Sequence, residues 1–92
     1  MAELLRVKCT GGLLIVTERE VIIQLEKPKW LGGGLIKQDT LARSLITGTH
    51  TKVHSMNGFV DFTFTGAGKE LAAKLVKPAD AERVLAVLAE PA

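Results

Sequence analysis

Alternating apolar and polar residues fill most of the first three quarters of the chain, a period of two that is typical of β-strands with one buried face. The alternation is clearest in residues 5–9, 21–25 and 60–65. Residues 13–17 form instead a continuous, partly β-branched apolar run of the length of a buried strand. Glycine, proline and polar residues separate these segments, so the pattern predicts short strands joined by turns.

Further strands are predicted over residues 35–41 and 45–54, and the Asn57-Gly58 pair predicts a hairpin turn after them. Residues 69–75 are ambiguous, because their composition favours a helix while their apolar positions also fit one face of a strand. The preceding Gly66-Ala67-Gly68 turn and the clear strand before it favour a return strand.

The pattern changes to a helical period near the end of the chain. Pro78 suits the first turn of a helix, and the following apolar residues have the i, i+3, i+4, i+7 spacing of one stripe: Ala81, Val84, Leu85 and Leu88. The sequence therefore predicts the α+β class, with seven antiparallel strands from about residue 4 to 76. One C-terminal amphipathic helix, from about 79 to 89, is expected to cover the open end of a bent sheet.

Length and composition fit one globular domain over residues 1–92, with 47% hydrophobic and 24% charged residues. A net charge of +2 is too small to favour a nucleic-acid partner, and the lone Cys9 cannot form an internal disulfide. The first residues lack the layout of a signal peptide, and the apolar runs are too short to span a bilayer. We therefore expect a cytoplasmic protein, with association to a membrane surface as the alternative.

Three stretches resemble the bacterial pleckstrin-homology-like (PH-like) domains. Residues 12–23, GLLIVTEREVII, are similar to the GLLVLTDRRLIF hairpin of that family, and residues 41–48, LARSLITG, resemble its IPLSSITGV segment. Asp80-Ala81-Glu82 matches the DAE that usually opens the capping helix. The resemblance implies a single PH-like domain, a bent seven-stranded antiparallel barrel capped by the C-terminal helix. It also implies a module that binds membrane phosphoinositides or proteins, and some bacterial members form homo-oligomers.

Basic residues are concentrated between Lys27 and Val53, where five of them stand against one acid and give a local charge of +4. The candidate residues for binding a ligand or partner lie at the start of this segment: Lys27, Lys29, Trp30 and Lys37. An aromatic side chain flanked by lysines suits a membrane interface or a protein hot spot. Two alternatives stay open: the basic segment is an ordinary solvated face, or Trp30 folds back onto a sheet edge or the helix.

The sequence carries no catalytic signature, and we expect neither enzyme activity nor a cofactor. Residues 32–34 and 66–69 lack the flanking residues of a phosphate loop and are predicted to be turns. On a strand, His50 and His54 would lie roughly 13 Å apart. That separation is too large for one metal ion, so no metal site is predicted.

Two non-catalytic functions follow from these observations. The first is protein–protein interaction or self-assembly through exposed sheet edges, giving a homo-oligomer or an adaptor that binds a partner strand. The alternative is peripheral binding to anionic membrane lipid through the basic, tryptophan-containing loop 27–37. The sequence favours the first, because an open sheet edge follows from the fold itself.

Overall fold

A computed structural model describes residues 3–89. Its seven strands are β1 (Glu3–Cys9), β2 (Gly12–Thr17), β3 (Glu20–Glu26), β4 (Leu35–Ala42), β5 (Ile46–Val53), β6 (Val60–Gly66) and β7 (Lys69–Val76). One helix, α1 (Pro78–Ala89), follows them, and short 3-10 turns lie at Lys29–Leu31 and Arg43–Leu45. The predicted α+β class is confirmed, and residues 69–75 form a strand.

Each strand pairs antiparallel with its neighbour in sequence, but the seven strands form two sheets. The first has the order β1-β2-β3-β4 and the second the order β5-β6-β7. The 3-10 turn Arg43–Leu45 separates β4 from β5, so the second sheet begins there. Where β1 approaches β7, the Thr10 amide donates to the Lys74 carbonyl at 2.8 Å. Within residues 3–89 no ladder closes the strands into the predicted barrel.

One hydrophobic core lies between the sheets and under the helix. It is formed by the inward positions of the alternating strands, and its largest fully buried side chains are Phe62, Phe64, Leu14, Leu41, Val16, Val21, Val76 and Val84. The alternation is most regular in β6, where the stacked rings of Phe62 and Phe64 have centroids 6.0 Å apart. Burying each such side chain contributes about 1.5–3 kcal/mol, and β6 supplies Val60, Phe62 and Phe64 to the core.

The helix packs against β1 and β2 and buries Ala81 and Val84. The predicted stripe is wrong at one position, because Leu85 is 46% exposed while Val87 and Leu88 pack against the core. Val87, which is not part of the predicted stripe, packs against the core in its place. The buried face of the helix is therefore rotated about the helix axis relative to the predicted stripe. Among residues 3–89 there is no helix long and apolar enough to cross a bilayer.

Arg43 fixes the end of the helix relative to the first sheet. Its Nη1 donates to the carbonyls of Thr17 and Glu18 at 3.2 and 3.4 Å, and its Nη2 donates to the carbonyl of Val87 at 3.2 Å. The last carbonyls of a helix have no partner within the helix, so this contact satisfies one of them. The side chain therefore holds the C-terminal end of α1 beside the end of β2.

The connection between β5 and β6 is wider than the predicted hairpin turn. It spans residues 54–59, with Gly58 at a φ of 75°. The side-chain oxygen of Asn57 accepts a hydrogen bond from the Phe59 amide at 2.9 Å, and the His54 amide donates to the Phe59 carbonyl at 2.8 Å. The Asn-Gly pair thus lies in the turn as predicted, but inside a longer loop.

Candidate functional site

The β3–β4 loop, residues 27–34, contains three of the four candidate residues and has a defined backbone. The Lys27 amide donates to the Gly34 carbonyl at 2.8 Å and closes the base of the loop. The 3-10 turn Lys29–Leu31 occupies its middle. Residues 32–34 all have φ between 67° and 99°, a region that suits glycine because other side chains are strained there. The triple glycine therefore forms the return of the loop, in agreement with the predicted turn.

Four apolar side chains in and next to this loop point into solvent, and we call them the apolar tip: Trp30, Leu31, Leu35 and Ile36. Trp30 is 82% exposed and the other three are more than half exposed. Trp30 thus does not fold back onto a sheet edge or the helix. The four lie within seven consecutive residues, and exposed apolar side chains concentrated in one segment are a feature of interaction surfaces.

A shallow cleft of about 360 Å³ adjoins the loop and joins it to the β1–β2 turn. We call it the basic cleft, because Lys8 of β1 and Lys27 and Lys29 of the β3–β4 loop line it together. Glu26 is its one acidic residue, and the Glu26 amide donates to the Gly11 carbonyl at 2.8 Å, which holds the two segments side by side. Three ammonium groups against one carboxylate make the cleft suitable for an anionic group.

Lys8 was not among the predicted candidate residues, all of which lie in the basic segment that starts at Lys27. The pairing of β2 with β3 places Gly12 opposite Leu25, so the β1–β2 turn lies level with the start of the β3–β4 loop. The two successive hairpins predicted from the sequence already implied that these turns lie near each other. To place Lys8 in the cleft, however, the registers of three successive strands must be known, and an alternating pattern predicts strands without predicting their registers.

Lys37 lies apart from the basic cleft, on β4. Its Nζ is 3.4 Å from a carboxylate oxygen of Asp39, and both side chains are largely exposed. An exposed ion pair of this kind contributes about 0–1 kcal/mol to stability. The structure therefore places Lys27, Lys29 and Trp30 in one loop and leaves Lys37 beside a counter-charge.

Gly12 and Cys9 are two of the uncharged residues that line the cleft. A Cβ atom at Gly12 would overlap the backbone carbonyl of Gln24, so only glycine allows β2 and β3 to approach this closely. Cys9 is half-buried and packs against the core, as the alternation predicts. Burial raises the pKa of the Cys9 thiol, because the thiolate would lose hydration.

A second polar cluster, not predicted as a site, connects the β5–β6 loop to β7. Asp61 accepts a hydrogen bond from the Leu75 amide at 2.8 Å, where Leu75 has a φ of 56° and the register of β7 shifts. This backbone hydrogen bond is the main cause that lowers the pKa of Asp61 below its ordinary value, and His54 adds to the effect. His54 Nε2 lies 3.1 Å from the same carboxylate but has no well-directed hydrogen bond. Asp61 therefore stabilises a strained bulge rather than standing free in solvent.

The two histidines differ in position: His50 lies on β5, whereas His54 lies beyond its end and faces Asp61. Within residues 3–89 no group of three or more His, Cys, Asp or Glu side chains is arranged to hold a metal ion.

When the chain is compared with protein-family models, curated proteins and solved structures, it matches none of them. The site is therefore characterised by its own residues: the apolar tip and the basic cleft, which the β3–β4 loop brings together.

Proposed function

We propose that the protein is a non-catalytic binding module that docks on anionic membrane surfaces through the β3–β4 loop. One observation carries this proposal: Trp30 is 82% exposed and adjoins a cleft lined by three lysines. Apolar side chains gain free energy when they leave water, and tryptophan is suited to the boundary between headgroups and acyl chains. The sequence placed this function second, and the geometry of the loop now favours it.

The charges account for the first part of the binding energy. Each lysine near an anionic surface contributes about 1 kcal/mol, so Lys8, Lys27 and Lys29 together contribute about 3 kcal/mol. That energy corresponds to roughly a hundredfold increase in affinity. Salt reduces it, because these side chains are exposed and the Debye length is only about 8 Å at physiological ionic strength.

The apolar tip accounts for the second part. Reversible attachment of a protein to a membrane generally combines an apolar insertion with a basic patch, because either signal alone is weak. Here the loop backbone holds both signals together through the closing hydrogen bond between Lys27 and Gly34. Docking of this kind is non-covalent and needs neither a cofactor nor a metal.

We also propose that the chain is a PH-like domain. The arrangement of a four-stranded meander, a three-stranded meander and a C-terminal helix against β1 and β2 supports this assignment. The resemblance of residues 12–23 and 41–48 to PH-like segments supports it independently, since it rests on sequence.

Co-sedimentation with lipid vesicles tests the membrane proposal. The wild-type protein should pellet with vesicles of phosphatidylcholine and phosphatidylserine, less so as salt is raised, and not with phosphatidylcholine alone. The variant Lys27→Glu/Lys29→Glu should lose this binding, because it reverses two of the three charges in the basic cleft.

A matched control is Lys52→Glu/Lys77→Glu, which changes the net charge equally at exposed positions outside the cleft. It should keep most of the binding. The proposal is refuted if the wild-type protein does not pellet with anionic vesicles, or if the control variant loses binding as completely as the loop variant.

A second candidate function is interaction with a protein or with itself through exposed sheet edges. The observation in its favour is that β4 and β5 each have a hydrogen-bonded neighbour on one side only. Such edges present unpaired backbone groups to other strands.

A further inference from the structure

The open edges of the two sheets differ in how well they are protected against pairing. β1 and β7 lie against each other, which leaves β4 and β5 as the more accessible edges. The β3–β4 ladder has an irregularity, because its register shifts between Leu25 and Glu26 of β3. In addition, the charged residues Lys37 and Asp39 of β4 lie opposite inward-facing residues of β3. Bulges and inward-pointing charges are features that prevent one strand edge from pairing with another. The β4 edge is therefore protected.

The central part of β5 lacks these features. Thr49 and Thr51 lie opposite Phe64 and Phe62 in the β5–β6 ladder, so they belong to the inner face of the second sheet. Both threonines are nevertheless exposed, because the first sheet does not cover β5. The inner face of this strand is uncharged, and an added strand would cover it while pairing the free backbone groups.

We propose that a second copy of this chain occupies the β5 edge. The two β5 strands would run antiparallel about a two-fold axis at His50 and join the three-stranded sheets into one six-stranded sheet. In this register His50 faces His50 of the second copy on the axis, Thr49 faces Thr51 twice per dimer, and Lys52 faces Gly48. Threonine pairs across antiparallel strands are favourable, and no two lysines come face to face.

Other symmetric registers are less favourable. Paired residues must lie on the same face of the sheet, so the axis has to pass through a residue. An axis at Lys52 would place two lysines opposite each other, and an axis at Thr51 would place His50 opposite Lys52. An axis at Thr49 would pair Lys52 with Ile46, where the irregular register of β5 begins. The register about His50 avoids all three conflicts.

The dimer is tested by light scattering and sedimentation of the lipid-free protein over a concentration series. The wild-type mass should rise towards twice 9.9 kDa. Thr49→Lys/Thr51→Lys and Thr49→Glu/Thr51→Glu should both stay monomeric where the wild type is dimeric, because each creates two like-charge pairs. Thr49→Lys/Thr51→Glu should dimerise, because the same register then creates two opposite-charge pairs.

Two further measurements keep the test independent of variant folding and of membrane docking. Amide hydrogen exchange in β5 of the wild type should slow as concentration rises, while exchange in β4 should not change. The variant Gln38→Lys, at an exposed position of the β4 edge outside the apolar tip, should dimerise like the wild type. A wild type that is monomeric at all concentrations, or like-charge variants that dimerise, would overturn the proposal. Since no lipid is present, neither result depends on the membrane function.

Discussion

Replacing Trp30 by alanine should weaken binding to anionic vesicles and leave the stability of the fold nearly unchanged. The side chain is 82% exposed, so most of its surface contributes nothing to folding. A tryptophan that becomes fully buried removes about 200 Å² from water. Roughly one fifth of this area is already covered in the folded protein, and the rest is available to a membrane.

The expected changes in folding stability and in vesicle binding follow from the covered and the exposed areas of Trp30. At about 25 cal/mol per Å², the covered fifth contributes at most about 1 kcal/mol to folding. Insertion of about half of the remaining area would contribute about 2 kcal/mol to docking. The Trp30→Ala variant should therefore bind anionic vesicles roughly 30-fold more weakly, with a change of less than about 1 kcal/mol in the free energy of unfolding.

Vesicle co-sedimentation measures the first quantity, and urea unfolding followed by circular dichroism measures the second. Met56→Ala is the matched control, because Met56 is 98% exposed but lies in the β5–β6 loop, outside the apolar tip. It should change neither quantity. The reasoning would be refuted by unchanged vesicle binding in Trp30→Ala, or by a loss of several kcal/mol in its stability.

Two predictions concern contacts that hold the fold together. Asp61→Ala should destabilise the protein by about 1–2 kcal/mol at neutral pH in urea unfolding, because the Leu75 amide loses its charged acceptor. The folded state lowers the pKa of Asp61, so its contribution is complete above the ordinary carboxyl value of about 3.9. This contribution disappears as pH falls through the lowered value, so the difference between wild type and variant should shrink in acid. Arg43→Ala should lower the free energy of unfolding by about 1–3 kcal/mol, because the carbonyls of Thr17 and Val87 lose a charged donor; equal stability of variant and wild type would contradict this.

The local pattern of apolar and polar residues was sufficient to predict the features that depend on neighbouring residues. Phe62 and Phe64 alternate with polar residues, and the strand they predict is the one that is buried most regularly. Residues 69–75 follow a glycine-containing turn, and the pairing of β7 with β6 outweighs their helical composition. Both features are determined by residues that lie close together in the chain.

Features that depend on distant residues were not predictable in this way. The division into two sheets is determined by which strand edges meet, and a period of two carries no such information. Lys8 belongs to the basic cleft only because three strands align. The exposure of Leu85 reflects the side of α1 that packs on the sheets, and those sheets are formed by residues distant from it in the chain. The four candidate residues were predicted from the local concentration of charge and from a tryptophan flanked by lysines, but Lys37 differs from the others because Asp39 lies beside it.

The pairing of every strand with its sequence neighbour also affects how the chain can fold. Each ladder closes only a short loop, which costs little conformational entropy, so both meanders can form from local hairpins. The contact between Arg43 and Val87 joins residues that are 44 positions apart, and it cannot form until the helix reaches the first sheet. We therefore expect the docking of the two meanders and the helix to be the late step in folding, after each sheet has formed from its local hairpins.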